Sequence, residues 1–427
     1  MERIELYAAL LKGSIDKLHA AVARLPDGRG RQLVVLIDFL LDRLRQRLDE
    51  LTEQIPTVQG DPRLEDVLAR KYERLWPPMG VLHEIVALYA SGVGRTDLPV
   101  GYLHLIDQLM DVVLIDASDP LVRLDPTRMY STIDLATQLK NYFAAQNEHF
   151  DFDQPHPIAF YLPELDPENA LYSAILAHEV THSAINQGLR DQMVPRVLID
   201  TVGKTMAKHL EAVPAPDRAP IRTIWRDQLL NWSEELLCDV VGVAVTGPAF
   251  AFAFIPFVPP SSVPVFSPTH PAGPLRWKMF LTALDQLGWT DFLNTHAPTI
   301  LASITAEANR PIPAVQPREK FLLEAAELVL PNLIQLGIGH VVSPMPVPDV
   351  DSFNHAVDLM TRGIPAVEID GEPFDTWTIV VAAWVVVFQS HGDKLSSLAE
   401  GVADANFNRL ILKSVELAAV VDWWKRT

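Results

Sequence analysis

Cysteine is nearly absent from this chain: Cys238 is the only one in 427 residues. That excludes an internal disulfide framework and any zinc cluster built on several thiolates. Basic residues are scarce as well, 35 Lys and Arg against 54 Asp and Glu, for a formal charge of −19. Phosphate affinity comes from clustered Lys and Arg, so this balance argues against nucleic-acid binding and against a polybasic membrane anchor. The stretch MERIELYAALLKG carries acidic residues where a secretory signal carries only basic ones, so a cytoplasmic location is expected. Long unbroken apolar runs are missing too. Trp377 to Phe388 is apolar throughout, but as a helix it covers only about 18 Å, short of a bilayer core. Val240 to Thr269 has no charge but is interrupted by Pro248, Pro256, Pro259 and Pro260. It is expected to form an internal wall or cleft lining rather than a membrane contact.

What the chain does have is a globular balance, 48% hydrophobic and 21% charged residues, enough for roughly two or three folding units. The pattern is mainly α-helical. Apolar residues at three-and-four spacing mark helices over 4–25 and 33–51, split by the turn signal PDGRG, and a further pair surrounds Pro77 and Pro78. Two short segments, VVLIDAS at 112–118 and PIAFYLPE at 157–164, read as strands. Asp166-Pro-Glu-Asn supplies an N-cap signature for a helix that Gly188 closes. Helices are expected over 194–213 and 220–246, then a proline-rich loop, then helices from 275 to 424 with an extended linker at 341–348. The expected organisation is an N-terminal helical region (1–125), a central catalytic domain with a small β-sheet (126–310) and a C-terminal helical region (311–427).

Chemistry concentrates in the helix preceding Gly188, which contains His178-Glu-Val-Thr-His182, an HExxH motif. His178 and His182 lie one helical turn apart on one face, where two imidazoles can share a metal ion. Glu179 can then act as general base on a water whose pKa the metal lowers toward roughly 7. A third ligand is required. The metzincin extension would need Gly and His where Ile185 and Gly188 stand, and the aminopeptidase spacing would need a glutamate at Thr201. Glu211 precedes a proline-rich break, whereas Glu235 has Asp239 one turn on, in NWSEELLCDVVG. The first carboxylate can ligate zinc and the second can accept a hydrogen bond from a ligating imidazole. Two carboxylates on an otherwise apolar helix are costly without a cation or donor to compensate them.

HEVTH followed by EELLCD resembles the gluzincin pattern HExxH…ExxxD. It is most similar to the CAAX prenyl protease/HtpX family, whose third ligand also lies some fifty residues beyond the second histidine; the gap here is 53 residues. That family carries a downstream His-Pro-x4-Arg element, and here His270-Pro-Ala-Gly-Pro-Leu-Arg276 follows. The resemblance covers roughly residues 155–290, without the family's transmembrane helices. It implies a zincin-like fold for the central domain, with Zn2+ on His178, His182 and Glu235, and Glu179 as general base. It also implies Asp239 as partner of a ligating histidine, and places His270, as a catalytic residue, and Arg276 near the active cleft, orienting the helices or helping to stabilise the oxyanion. The plain reading of His270 is a loop histidine that caps the next helix. The implied function is zinc-dependent endopeptidase action on protein or peptide substrates. The competing expectation is a catalytically silent or latent metal-stabilised scaffold whose helical flanks bind a regulatory partner.

Three further expectations follow. PIAFYLPE is expected to be an edge strand beside the substrate, and Ala249 to Val258 an apolar cleft wall. His149, Asp151, Asp153 and His156 are read as a solvated loop rather than a second cation site.

Overall fold

The computed structural model describes residues 2–25, 31–92, 98–113, 120–125, 130–144, 158–163, 168–258, 266–391, 402 and 404–426. The cluster His149, Asp151, Asp153 and His156 lies outside them, as does most of the expected strand over 112–118. The architecture is mainly helical with little strand. The chain divides into two compact units, residues 1–97 with 116–165 and residues 98–115 with 166–427. The division therefore does not follow the boundaries near 125 and 310. Helix Pro317–His340 packs along helix Arg218–Thr246 within the second unit, and a helix cannot be separated from the one whose apolar face it covers.

In the first unit, helices Glu2–Val22, Arg31–Thr52, Pro62–Glu73 and Trp76–Gly92 enclose one apolar core. Leu11, Leu36, Leu40 and Tyr72 are among its fully buried members. Helix Pro62–Glu73 starts where the sequence asks for it. Asp61 accepts hydrogen bonds from the Arg63 and Leu64 amides at 2.9 and 3.3 Å, and Pro62 occupies the first helical position. The expected pair of helices around Pro77 and Pro78 is present, with its break at Arg74 and Leu75, just ahead of the prolines. They fall in the first turn of Trp76–Gly92, where the missing N–H costs nothing.

A three-stranded sheet in the same unit consists of β1 (Leu121–Asp125), β2 (Ser131–Asp134) and β3 (Ile158–Pro163). β3 lies in the middle, parallel to β1 and antiparallel to β2. PIAFYLPE is therefore not an edge strand, and its backbone groups are already paired. Ile158, Ala159, Phe160 and Leu162 are all fully buried. An unbroken apolar run marks a strand covered on both faces, whereas an edge strand alternates or carries charge.

The second unit is organised around helix Arg218–Thr246. From Trp225 onward it buries residues on every side, including Leu229, Trp232, Leu236, Val240 and Val243, as a helix at the centre of a core must. Helices Ile175–Ala184, Gly273–Gln286 and Pro317–His340 pack against it. Pro248–Phe254 forms a further short helix with Phe250, Phe252 and Phe254 all buried, in edge contact with Phe280, Phe388 and Trp277. The expected cleft wall over 249–254 is thus core, because its aromatic rings have partners on the protein side. The expected helix over 194–213 is two helices, Arg190–Val197 and Asp200–Leu210. Among the described residues, only Pro317–His340 is long and apolar enough to cross a membrane by length and composition.

Helix Ala405–Arg426 packs against helix Val100–Val113 at Gly101. A Cβ there would lie 2.1 Å from the Leu412 carbonyl oxygen, a backbone atom that cannot rotate away. Gly101→Ala is therefore expected to destabilise the protein by about 1–3 kcal/mol despite the better helix propensity of alanine. A lowered urea midpoint at unchanged slope checks this.

Candidate metal centre

The HExxH motif sits on helix Ile175–Ala184, entered through a 3-10 turn at Leu171–Ala174. The N-cap expected at Asp166 lies outside the described residues, and within them Asn169 supports the start of the turn. Its buried side chain accepts from the Tyr172 amide at 3.2 Å. The Ala170 amide donates to Asn408 Oδ1 at 3.0 Å, and Asn408 Nδ2 donates to the Val402 carbonyl at 2.8 Å. The helix start is thereby tied to helix Ala405–Arg426. At the other end a π-turn, Ile185–Leu189, carries Gly188 at φ 121°. That left-handed geometry suits glycine and redirects the chain into helix Arg190–Val197.

Helix Arg218–Thr246 faces the motif and brings four polar side chains to it. His178 Nδ1 donates to Asp239 Oδ1 at 2.9 Å, while its Nε2 lies 3.5 Å from Glu235 Oε2. His182 Nε2 lies 3.6 Å from Glu235 Oε1, and its Nδ1 lies 3.2 Å from Glu234 Oε1. The two imidazole rings are 5.0 Å apart, edge to face. Beneath them Phe250 stacks parallel to His178, an apolar floor. Glu179 is half-buried on the same helix, near enough for its charge to act on the Cys238 thiol.

The downstream residues converge as well. Arg276 is buried and grips Asp239 with two hydrogen bonds, 2.7 Å from Nε and 2.5 Å from Nη2. Its guanidinium also stacks 4.2 Å over the Phe254 ring. With its donors engaged there, Arg276 orients the Asp239–His178 pair. His270 is exposed, its Nε2 3.4 Å from Glu235 Oε2, so it stands at the open side of the cluster.

Burial works against the His178 cation, but the Asp239 and Glu235 carboxylates outweigh it and hold its pKa up at about 10. Burial alone would raise Glu235. His178 first, then Arg276 and His182, hold it down at about 2. The Cys238 thiol is pushed well up, first by burial and then by the surrounding carboxylates. Arg276 is raised although burial opposes it, because Asp239 stabilises the charge.

His178, His182 and Cys238 present donor atoms all within 4.8 Å of one another and can hold a metal ion. Glu235 offers a second set with the same two histidines. Both of its oxygens face imidazole Nε2 atoms, and Oε2 is buried without a hydrogen-bond partner. Oε2 lies 3.5 Å from His178 Nε2 and 3.4 Å from His270 Nε2, and a buried carboxylate oxygen left so beside imidazole nitrogens is one that a divalent cation can satisfy. The two sets differ in which face of His182 they use, since Cys238 Sγ lies 3.6 Å from Nδ1. The fit of a metal to this donor chemistry is therefore good.

The sequence pattern did not single out Glu234 as a functional residue. Its only signal is adjacency to Glu235, which turns its side chain about 100° round the helix toward the second histidine. Comparison with protein-family profiles, with curated proteins and with solved structures finds no match for this chain.

Two outcomes follow from these contacts. Asp239→Ala leaves the buried Arg276 without its carboxylate and is expected to cost about 3–5 kcal/mol, read by urea denaturation. The second concerns pH. Metal binding needs a neutral His178 Nε2, yet without metal the Asp239 and Glu235 carboxylates hold this group protonated, its pKa raised to about 10, and Glu235 is held low by His178. Binding must then expel a proton from His178 at neutral pH. Apparent metal affinity should rise about tenfold per unit between about pH 6 and 8. Chelator competition across that range measures the slope.

Proposed function

We propose that this chain is a zinc-dependent endopeptidase with a zincin-like pair of ligand helices. The observation that carries the reading is the approach of Glu235 to His178 and His182 across a gap of 53 residues, with both carboxylate oxygens turned to the two Nε2 atoms. Two imidazoles and one carboxylate are the ligand set of many catalytic zinc sites. The ion would be held by His178, His182 and Glu235, and when bound it supplies Lewis acidity toward a carbonyl and toward water.

The chain's own residues supply the rest. Asp239 accepts the Nδ1 proton of His178 and so reserves Nε2 for ligation, and Arg276 holds Asp239 in place with two hydrogen bonds. Glu179, one position beyond the first ligand and half-buried, takes a proton from the attacking water on a carboxylate oxygen. It then delivers that proton to the amide nitrogen of the departing segment. His270, exposed beside Glu235, can donate from its ring to an oxygen of a bound peptide. The buried Phe250–Phe254 segment confers no side-chain preference on a substrate, since its rings are spent on the core.

Glu179→Gln is the deciding variant. It is expected to bind zinc as the wild type does and to lose peptide cleavage by about 10²–10⁴-fold. Unchanged cleavage of an unstructured protein by that variant would remove Glu179 from the mechanism. A wild type that carries zinc and cleaves nothing across a peptide library would favour a metal-stabilised scaffold.

A further inference from the structure

Two carboxylates on adjacent positions of helix Arg218–Thr246 address the same histidine from opposite sides. Glu235 Oε1 faces His182 Nε2, and Glu234 Oε1 faces Nδ1. Arg190 Nη1 holds the other Glu234 oxygen at 3.1 Å, reached because the π-turn at Gly188 starts the next helix at that residue. Nδ1 has a second neighbour in Cys238 Sγ at 3.6 Å. The imidazole therefore stands between two outcomes. Turned to the glutamate, it keeps a proton on Nδ1. Turned to the thiol, it can offer Nδ1 to the same ion that the sulfur binds.

We infer that Glu234, clamped by Arg190, selects the ligand set of this site, directing His182 Nε2 to an ion shared with Glu235 and withholding Nδ1 from one shared with Cys238. A carboxylate only accepts, so a hydrogen bond to Glu234 requires the proton on Nδ1 and leaves the lone pair on Nε2. Without Glu234 that constraint is gone, and the donor group of His178, His182 and Cys238 becomes the competing cradle. A thiolate ligand favours softer ions than a carboxylate does, so Glu234 is a specificity-determining positioning residue for the metal. Asp239 performs the equivalent service for His178. The inference rests on the Glu235 ligand set proposed above but not on peptide cleavage.

The test uses the full chain loaded with Co2+, whose absorption distinguishes a sulfur ligand by a near-ultraviolet charge-transfer band. Wild type is expected to show the visible cobalt bands without the sulfur band, and Cys238→Ser the same. Glu234→Leu should gain the sulfur band, and adding Cys238→Ser should remove it. That double variant should bind cobalt about 10–100-fold more weakly than Cys238→Ser alone. Glu234→Gln, which keeps an acceptor oxygen for Nδ1–H, should restore the wild-type spectrum. A sulfur band in the wild type, or a Glu234→Leu spectrum identical to it, overturns the inference. If Glu234→Leu does not fold, Arg190→Leu, an exposed change that loosens the clamp, must raise the sulfur band above the wild-type level. A protein with these spectra that cleaves no peptide sinks the hydrolase reading alone, and a cleaving enzyme with unchanged spectra sinks this inference alone.

Discussion

Asp239 is fully buried and carries hydrogen bonds in two directions, from Arg276 on one side and from His178 on the other. A carboxylate at that depth would be untenable alone. Its partners come from separate helices, Gly273–Gln286 and Ile175–Ala184, so one ionised group fixes three helices of the second unit against each other. The remaining geometry follows from that fixture. His178 is held in one orientation by its Nδ1 contact, its Nε2 meets Glu235, and His182, one turn along, is presented to the same carboxylate.

The parts of this arrangement that were legible in the sequence are those with a regular period. HExxH puts two imidazoles on one face at i and i+4, and Glu235 with Asp239 does the same for two carboxylates. Because Glu235 and Asp239 stand among Leu236, Leu237, Val240 and Val241, their charge demanded a partner, and the structure brings the two pairs together. Arg276 and His270 were placed only by resemblance, since no local period links residue 276 to residue 239. Glu234 and the Cys238–His182 contact were not legible, because they depend on how one helix is rotated against another.

The fold was legible to a similar degree. Helices over 31–52 and 350–361 follow their apolar stripes, the second with Asp349 as its cap, whereas the helix over 218–246 is marked by near-continuous apolarity from Leu229 onward. The errors have a common physical origin: apolarity without periodicity. PIAFYLPE, expected at an edge, is the centre strand, as its unbroken apolarity suits. The wall expected over Ala249 to Val258 is core across 249–254, where the rings pack inward. A segment with no polar face says that it is covered and not by what.

The capping of the motif helix has a consequence for how the chain is made. Ala170 depends on Asn408, 238 residues further along, to receive its amide hydrogen. At ordinary ribosomal speeds those two residues emerge on the order of tens of seconds apart. During that interval the histidine-bearing turn lacks the anchor that closes its first coil. The turn that leads into the histidine-bearing helix is accordingly completed late in biosynthesis, after nearly everything else in the second unit has left the exit tunnel.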